Sequence, residues 1–316
     1  MERSPVKNFR TPTLLFALFL VSFACNFPGA ETPTVGLPAG GTPTATQTPF
    51  LEPTVAVPPL TAEMLRNGTY LLPESGETVT LVDGKYDRAE SMENILHVTL
   101  MDPIAFGDLN GDGAEDAAIV LSENMGGTGF FMSVVAIRNN GGSPLQGPSR
   151  FLDDRAALNG MVVIGGRIVV DAMIHSFDDP LCCPTFPVVE TLRLIGDRLV
   201  LTRFTSRTPV DTERAITITG PAEGASVSGS VQLIGTVTIS PFENNLVYRI
   251  YNSAGAELSA GSFLVDSEGM GTPGTFNVTI SLAGIPAGAS VRLEISDLSA
   301  ADGSTFAMDS VGLMVT

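Results

Sequence analysis

The chain has no tryptophan, four tyrosines, two histidines and three cysteines among 316 residues, and each shortage removes a class of function. Sugar-binding modules commonly rely on aromatic platforms with an apolar face and a polar edge, so a carbohydrate role loses ground. The only imidazoles are His97 and His175, and no Gly-x-Ser-x-Gly or His-Glu-x-x-His sequence occurs. The carboxylate pair Asp178 and Asp179 is adjacent in sequence, a poor arrangement for facing one substrate. A hydrolase in the middle of the chain is therefore the weakest reading, and the chain is not expected to be an enzyme. Three cysteines, two of them neighbours, make no disulfide framework. Lys and Arg number 17 against 34 Asp and Glu, a net charge of −17. No basic run interrupts that excess, so nucleic acid and anionic membrane surfaces are excluded as expected partners.

Long apolar runs are also missing, except near the start. Arg3, Lys7 and Arg10 precede Leu14 to Ala24, an apolar stretch of 11 residues. This is signal-peptide architecture. As a helix it would span only about 16 Å against a hydrocarbon core of about 30 Å, which makes a permanent transmembrane helix the poorer reading. Cys25, directly after Ser22-Phe23-Ala24, resembles the lipobox cysteine of bacterial lipoproteins, although Ser22 stands where those boxes usually carry Leu. The resemblance implies that residues 1–24 are removed and that Cys25 receives lipid, placing the protein outside the cytoplasm on the cell membrane. Ordinary cleavage after Ala24, giving a secreted protein, is the alternative. From residue 25 to residue 60 the chain is Thr/Pro-rich and low in charge, and it cannot bury a core. It reads as a disordered tether; its segment Asn26 to Pro59, 34 residues, could reach on the order of 100 Å when extended.

Residues 61–208 alternate short apolar runs with Gly, Asn and Asp, the pattern of an antiparallel β domain. Expected strands are Thr78–Val82, Ile95–Met101, Asp116–Leu121, Phe130–Arg138, Met161–Ile164, Arg167–Ile174, Val188–Ile195 and Arg198–Phe204. Gly165-Gly166 and Gly196-Asp197 have the length and composition of two-residue hairpin turns. The clearest helix signal is Ala62 to Arg66. Within Asp108-Leu109-Asn110-Gly111-Asp112-Gly113-Ala114-Glu115-Asp116, the side chains of Asp108, Asn110, Asp112 and Asp116 and the carbonyl of Ala114 have the spacing of a shell of hard oxygens. Such a shell suits a structural Ca²⁺ ion. The competing reading is a hairpin loop satisfied by its own amides. Position twelve is Ile119 and a strand follows, so this is no EF-hand. The run Phe106 to Ile119 is similar to the calcium loops of FG-GAP repeats, in a single copy that argues against a propeller. Phe106-Gly107-Asp108, Gly126-Gly127-Thr128-Gly129-Phe130-Phe131 and Asp179-Pro180-Leu181-Cys182-Cys183-Pro184 together resemble an uncharacterised domain of secreted bacterial proteins and lipoproteins, which brings no known activity.

Cys182 and Cys183 have Cα atoms about 3.8 Å apart if the peptide is trans, below the usual disulfide range of about 4.4 to 6.8 Å. Their state stays open between a vicinal disulfide locking the turn before Pro184 and two buried thiols. A soft-metal site made of these thiols with His175, Asp178 and Asp179 fits none of the familiar zinc spacings.

After the polar break at residues 206–214, strand signals recur about every ten residues, the length and rhythm of an immunoglobulin-like β-sandwich over 215–316. Phe276, Val278, Ile280 and Leu282 alternate with polar residues, as do Val291, Leu293 and Ile295. Turns are expected at 253–255, 285–288 and 301–303. Ile216-Thr217-Ile218, Pro221, Gly224, Val231-Gln232-Leu233, Gly235, Phe242, Asn244, Gly274-Thr275-Phe276, Leu293-Glu294-Ile295 and Asp302-Gly303 resemble the Gmad2 domain, an immunoglobulin-like module named from bacterial spore-germination proteins. That resemblance implies extracytoplasmic interaction or assembly and brings no catalytic residues. The expectation is an all-β, lipid-anchored extracytoplasmic protein that binds an envelope or extracellular protein. A ligand-binding lipoprotein is the alternative, and a large apolar pocket in the middle domain would mark it.

Overall fold

A computed structural model describes residues 57–91 and 94–316. The expected signal peptide, Cys25 and most of the tether lie outside those residues. Helix α1 (Ala62–Arg66) opens the described chain, with the Thr61 hydroxyl accepting from the Met64 amide at its N-terminus. Two short strands, β1 (Thr69–Leu71) and β2 (Thr78–Thr80), pair with each other. A five-stranded antiparallel meander follows: β3 (Lys85–Ser91), β4 (Asn94–Gly107), β5 (Asp116–Asn124), β6 (Phe131–Asn140) and β7 (Ser143–Asp154). A second meander runs β8 (Ala157–Ile164), β9 (Arg167–Ile174), β10 (Phe186–Ile195) and β11 (Arg198–Arg207). Two of its three connections are the anticipated turns. Ile164 pairs with Arg167 around Gly165 and Gly166, both at positive φ, and Ile195 pairs with Arg198 around Gly196 and Asp197.

The central strand β5 explains how these layers stack. Its apolar run Ala117 to Leu121 is buried on both faces. Ala118 and Val120 pack with Ile168, Val170 and Leu192 of the second meander. Ala117, Ile119 and Leu121 pack on the other side with Leu65 of α1, Tyr70 and Leu72. Each fully buried Ile or Leu here is worth about 2 kcal/mol over its exposed state. Two cores flank one sheet, and α1 with β1 and β2 forms the outer cover.

The remaining strands are β12 (Glu213–Arg214), β13 (Ile216–Gly220), β14 (Ala225–Val227), β15 (Ser230–Val237), β16 (Asn245–Asn252), β17 (Glu257–Leu264), β18 (Asp266–Ser267), β19 (Gly274–Ser281), β20 (Ser290–Leu298) and β21 (Thr305–Val315). A single 3₁₀ turn, Phe242–Asn244, precedes β16. The sheet β13-β15-β19-β18 faces the sheet β17-β16-β20-β21, which β14 joins in parallel to β21. Period-two burial places Val231, Leu233, Phe276, Ile280, Leu293 and Ile295 in the sandwich core, built from aliphatic residues and phenylalanine.

The second meander does not stop at β11. Arg203 and Phe204 of β11 pair with Asp309 and Met308 of β21, so eight strands run in the unbroken order β17-β16-β20-β21-β11-β10-β9-β8. That ladder is short, and hydroxyls bracket it. Ser206 Oγ donates to the Phe306 carbonyl at 2.6 Å and Ser310 Oγ to the Thr202 carbonyl at 2.9 Å. Val188, Phe204 and Met308 form a small core beneath it.

Candidate functional site

The loop between β4 and β5 holds the residues expected to bind metal. Its geometry follows from Asx turns, in which a short polar side chain accepts from amides just ahead of it. Asp108 Oδ1 accepts from the amides of Asn110 and Gly111 at 3.2 and 2.7 Å, and Oδ2 from Gly113 at 2.9 Å. Burial pushes the Asp108 carboxyl up, but these amides outweigh it and hold the group below the usual carboxylate range. Asn110 Oδ1 accepts from the Asp112 amide and Asp112 Oδ1 from the Ala114 amide, both at 2.8 Å, while Asn110 Nδ2 donates to Asp112 Oδ2. Asp108, Asn110 and Asp112 are thus drawn into one turn. Asp116 plays a different part: fully buried, it accepts from the amides of Leu109 and Asn139 at 2.9 and 2.8 Å, tying the base of the loop to the end of β6. Among the described residues no three His, Cys, Asp or Glu side chains gather as a metal cluster.

His175, Cys182 and Cys183 belong to the connection between β9 and β10. The two sulfurs are bonded, with Cα atoms 3.7 Å apart. Asp179 closes the connection, accepting from the Ser176 amide, the Thr185 amide and the Thr185 hydroxyl at 2.7 to 2.8 Å. His175 Nδ1 lies 2.9 Å from Asp153 Oδ2. Burial would lower the imidazole pKa, but the Asp153 carboxylate overrides it and the net direction is upward. His175 is thus held by the Asp153 carboxylate. His97 pairs across the strands with Asp87, Nδ1 to Oδ1 at 2.7 Å, on a half-exposed face.

The junction of β11 and β21 leaves a concave corner on each face of the shared sheet. On one side a cavity of about 490 Å³ is lined by His175, Glu190, Phe186, Phe204 and Phe306, with Arg150 at its edge. Glu190 is buried, which pushes its carboxyl pKa up against the pull of Arg150, whose Nε stands 3.6 Å from Oε2. On the other side a groove of about 750 Å³ is lined by Arg167, Arg193, Arg198 and Arg203, facing Glu223 and Asp309. Sequence reasoning finds no basic cluster because none exists along the chain. Pairing brings these arginines together: Arg167 sits directly opposite Arg193, and Arg203 opposite both Thr191 and Asp309. A bulge in β11 completes the set. Leu192 pairs with Leu201 and Thr191 with Arg203, so Thr202 is the extra residue. Without it Arg198 and Arg203, five positions apart, would lie on opposite faces.

Residues 215–304 match the family model of Gmad2, the immunoglobulin-like domain of bacterial spore germination. The match covers the sandwich from β13 through the turn before β21. No curated protein matches the chain.

Proposed function

We propose that the protein is a non-enzymatic, extracytoplasmic binding or assembly module, lipid-anchored at Cys25, that engages envelope or extracellular proteins through its two β regions. The observation that carries this reading is the match of residues 215–304 to Gmad2, the immunoglobulin-like domain of bacterial spore germination, which supports a binding or assembly module. The Cys25 anchor and the tether are supported by the sequence around them and have their own test. Processing of the precursor should be blocked by globomycin and lost in Cys25→Ala. For the binding role, the described region used as bait on envelope extract should retain a specific protein. A broad hydrolase screen that returned turnover abolished by His175→Ala would replace the reading with an enzymatic one.

The loop of Asp108, Asn110 and Asp112 with the Ala114 carbonyl fits a calcium ion chemically, since each carboxylate oxygen bound to an amide keeps acceptor capacity for a hard cation. Asp116, whose two oxygens each accept one amide, keeps the same capacity as the fourth side-chain ligand and also braces the site from below. A bound ion would stiffen the entry to β5. Calcium should then raise the melting temperature of the protein, and Asp112→Ala should remove the rise; equal melting with calcium and with chelator would remove the ion from the account.

The ligand-binding alternative draws support from one feature, the phenylalanine-walled cavity beside His175 and Glu190. Aromatic walls with a few convergent polar groups are the usual composition of small-molecule sites.

A further inference from the structure

The groove on the other face of the junction has a composition that the rest of the chain does not predict. The whole sequence has twice as many acidic as basic residues, yet four arginines from β9, β10 and β11 share this one face. Two of them are direct cross-strand neighbours, Arg167 and Arg193. Like charges in that position repel and destabilise a sheet, so the pair is a cost that stability does not explain. Carboxylates anchor only part of the set. Arg193 Nη1 meets Glu223 Oε1 at 2.6 Å, and Arg203 Nη1 stands 3.6 Å from Asp309 Oδ2. Glu223 and Asp309 are themselves engaged by the amides of Gly312 and of Ile218 and Ser310. Among the described residues neither Arg167 nor Arg198 has a carboxylate within 4 Å. Arg198 is nonetheless placed: its guanidinium lies in the space a side chain at Gly255 would fill and reaches the Ser253 carbonyl at 3.4 Å.

We propose that this groove binds a phosphate group, held by Arg167 and Arg198 with Arg193 between them. Guanidinium forks recognise oxoanions through paired N–H donors. Forks arriving from three strands offer more donors than the two oxygens of a carboxylate can accept, whereas the free oxygens of a phosphate monoester can take them. An anion there would also relieve the repulsion between Arg167 and Arg193. The groove is open and larger than one phosphate, so the group could be part of a soluble ester or a lipid headgroup. Its walls come from both the second meander and the sandwich, which makes the bound group a tie across the junction. This inference does not depend on the anchor, on calcium or on a protein partner.

The test is equilibrium titration of the full chain with tripolyphosphate, and in parallel with phosphatidylcholine vesicles with and without phosphatidic acid. Saturable binding of tripolyphosphate that weakens with rising salt is expected. The Arg167→Ala, Arg198→Ala double variant should lose at least about tenfold in affinity, the loss of one or two charge-assisted hydrogen bonds. Arg167→Ala alone should melt no lower than the parent, because the repulsion with Arg193 is removed. Arg249→Ala, outside the groove, should bind as the parent does. Binding confined to phosphatidic acid vesicles, and lost in the double variant, would assign the phosphate to a lipid and uphold the site. Absence of binding to either probe, or affinity unchanged in the double variant, would overturn it.

Discussion

At the residue scale, the sandwich depends on a missing side chain. Gly235 of β15 stands opposite Phe276 of β19, whose ring, packed with Phe263 at a centroid distance of 5.3 Å, covers the glycine. A Cβ there would collide with that ring and with the Thr217 carbonyl of β13. This is the aromatic cover that compensates a glycine in a strand. Gly235→Ala should therefore destabilise by about 1–3 kcal/mol, the range for overpacking a well-filled core, measured as a drop in the urea midpoint. A neutral result would mean that β13 and β19 can part at that point. Gly235 was legible as a position of the Gmad2 resemblance; its reason, a ring on the neighbouring strand, was not.

At the scale of elements, apolar patterning and turn chemistry located what they could. Helix α1 falls on the expected residues, and so do both two-residue hairpins. Besides the three-residue β1, strands β3 and β7 were absent from the sequence reading. Their residues are mostly polar, and β7 contains Pro144 and Pro148. Both lie at the edges of the first meander, where proline costs no shared hydrogen bond and no buried face imposes a period. The arginine groove was hidden for a related reason, since strand register and a single bulge, neither written in local composition, bring its members together.

Another element contact makes stability depend on pH. Asp297 of β20 is buried beside Arg214 of β12, with Nε and Oδ2 3.4 Å apart. Burial pushes its carboxyl up to about 6, against the pull of Arg214. The folded state holds that proton more tightly than the unfolded chain does, so this group favours folding most below about pH 4. Its contribution then falls as pH rises through 4 to 6 and levels off above. The full difference is about 3 kcal/mol. Asparagine does not titrate, so Asp297→Asn should gain roughly that much relative to the parent between pH 4 and pH 7 in denaturant melts. A gap that stays constant with pH would show that Asp297 titrates normally.

For the whole molecule, the sheet joining β8 through β11 to the sandwich argues that the two regions unfold together. They share a ladder, two hydroxyl brackets and the small core of Val188, Phe204 and Met308. Calorimetry of residues 57–316 should give one transition whose calorimetric and van't Hoff enthalpies agree; two resolved transitions would show that the junction is weak. Composition and rhythm conveyed the all-β class and the sandwich, but not this union. It rests on a pairing between Phe204 and Met308, more than a hundred positions apart, and no local pattern encodes a contact of that span.

Strand β21 sits between β20 and β11 yet follows both of them in the chain. During synthesis each neighbour must therefore wait with one side of its backbone unsatisfied until that strand emerges. Open edges of this kind invite pairing with other chains, so the interval before β21 arrives is when a nascent copy is most exposed to misassembly.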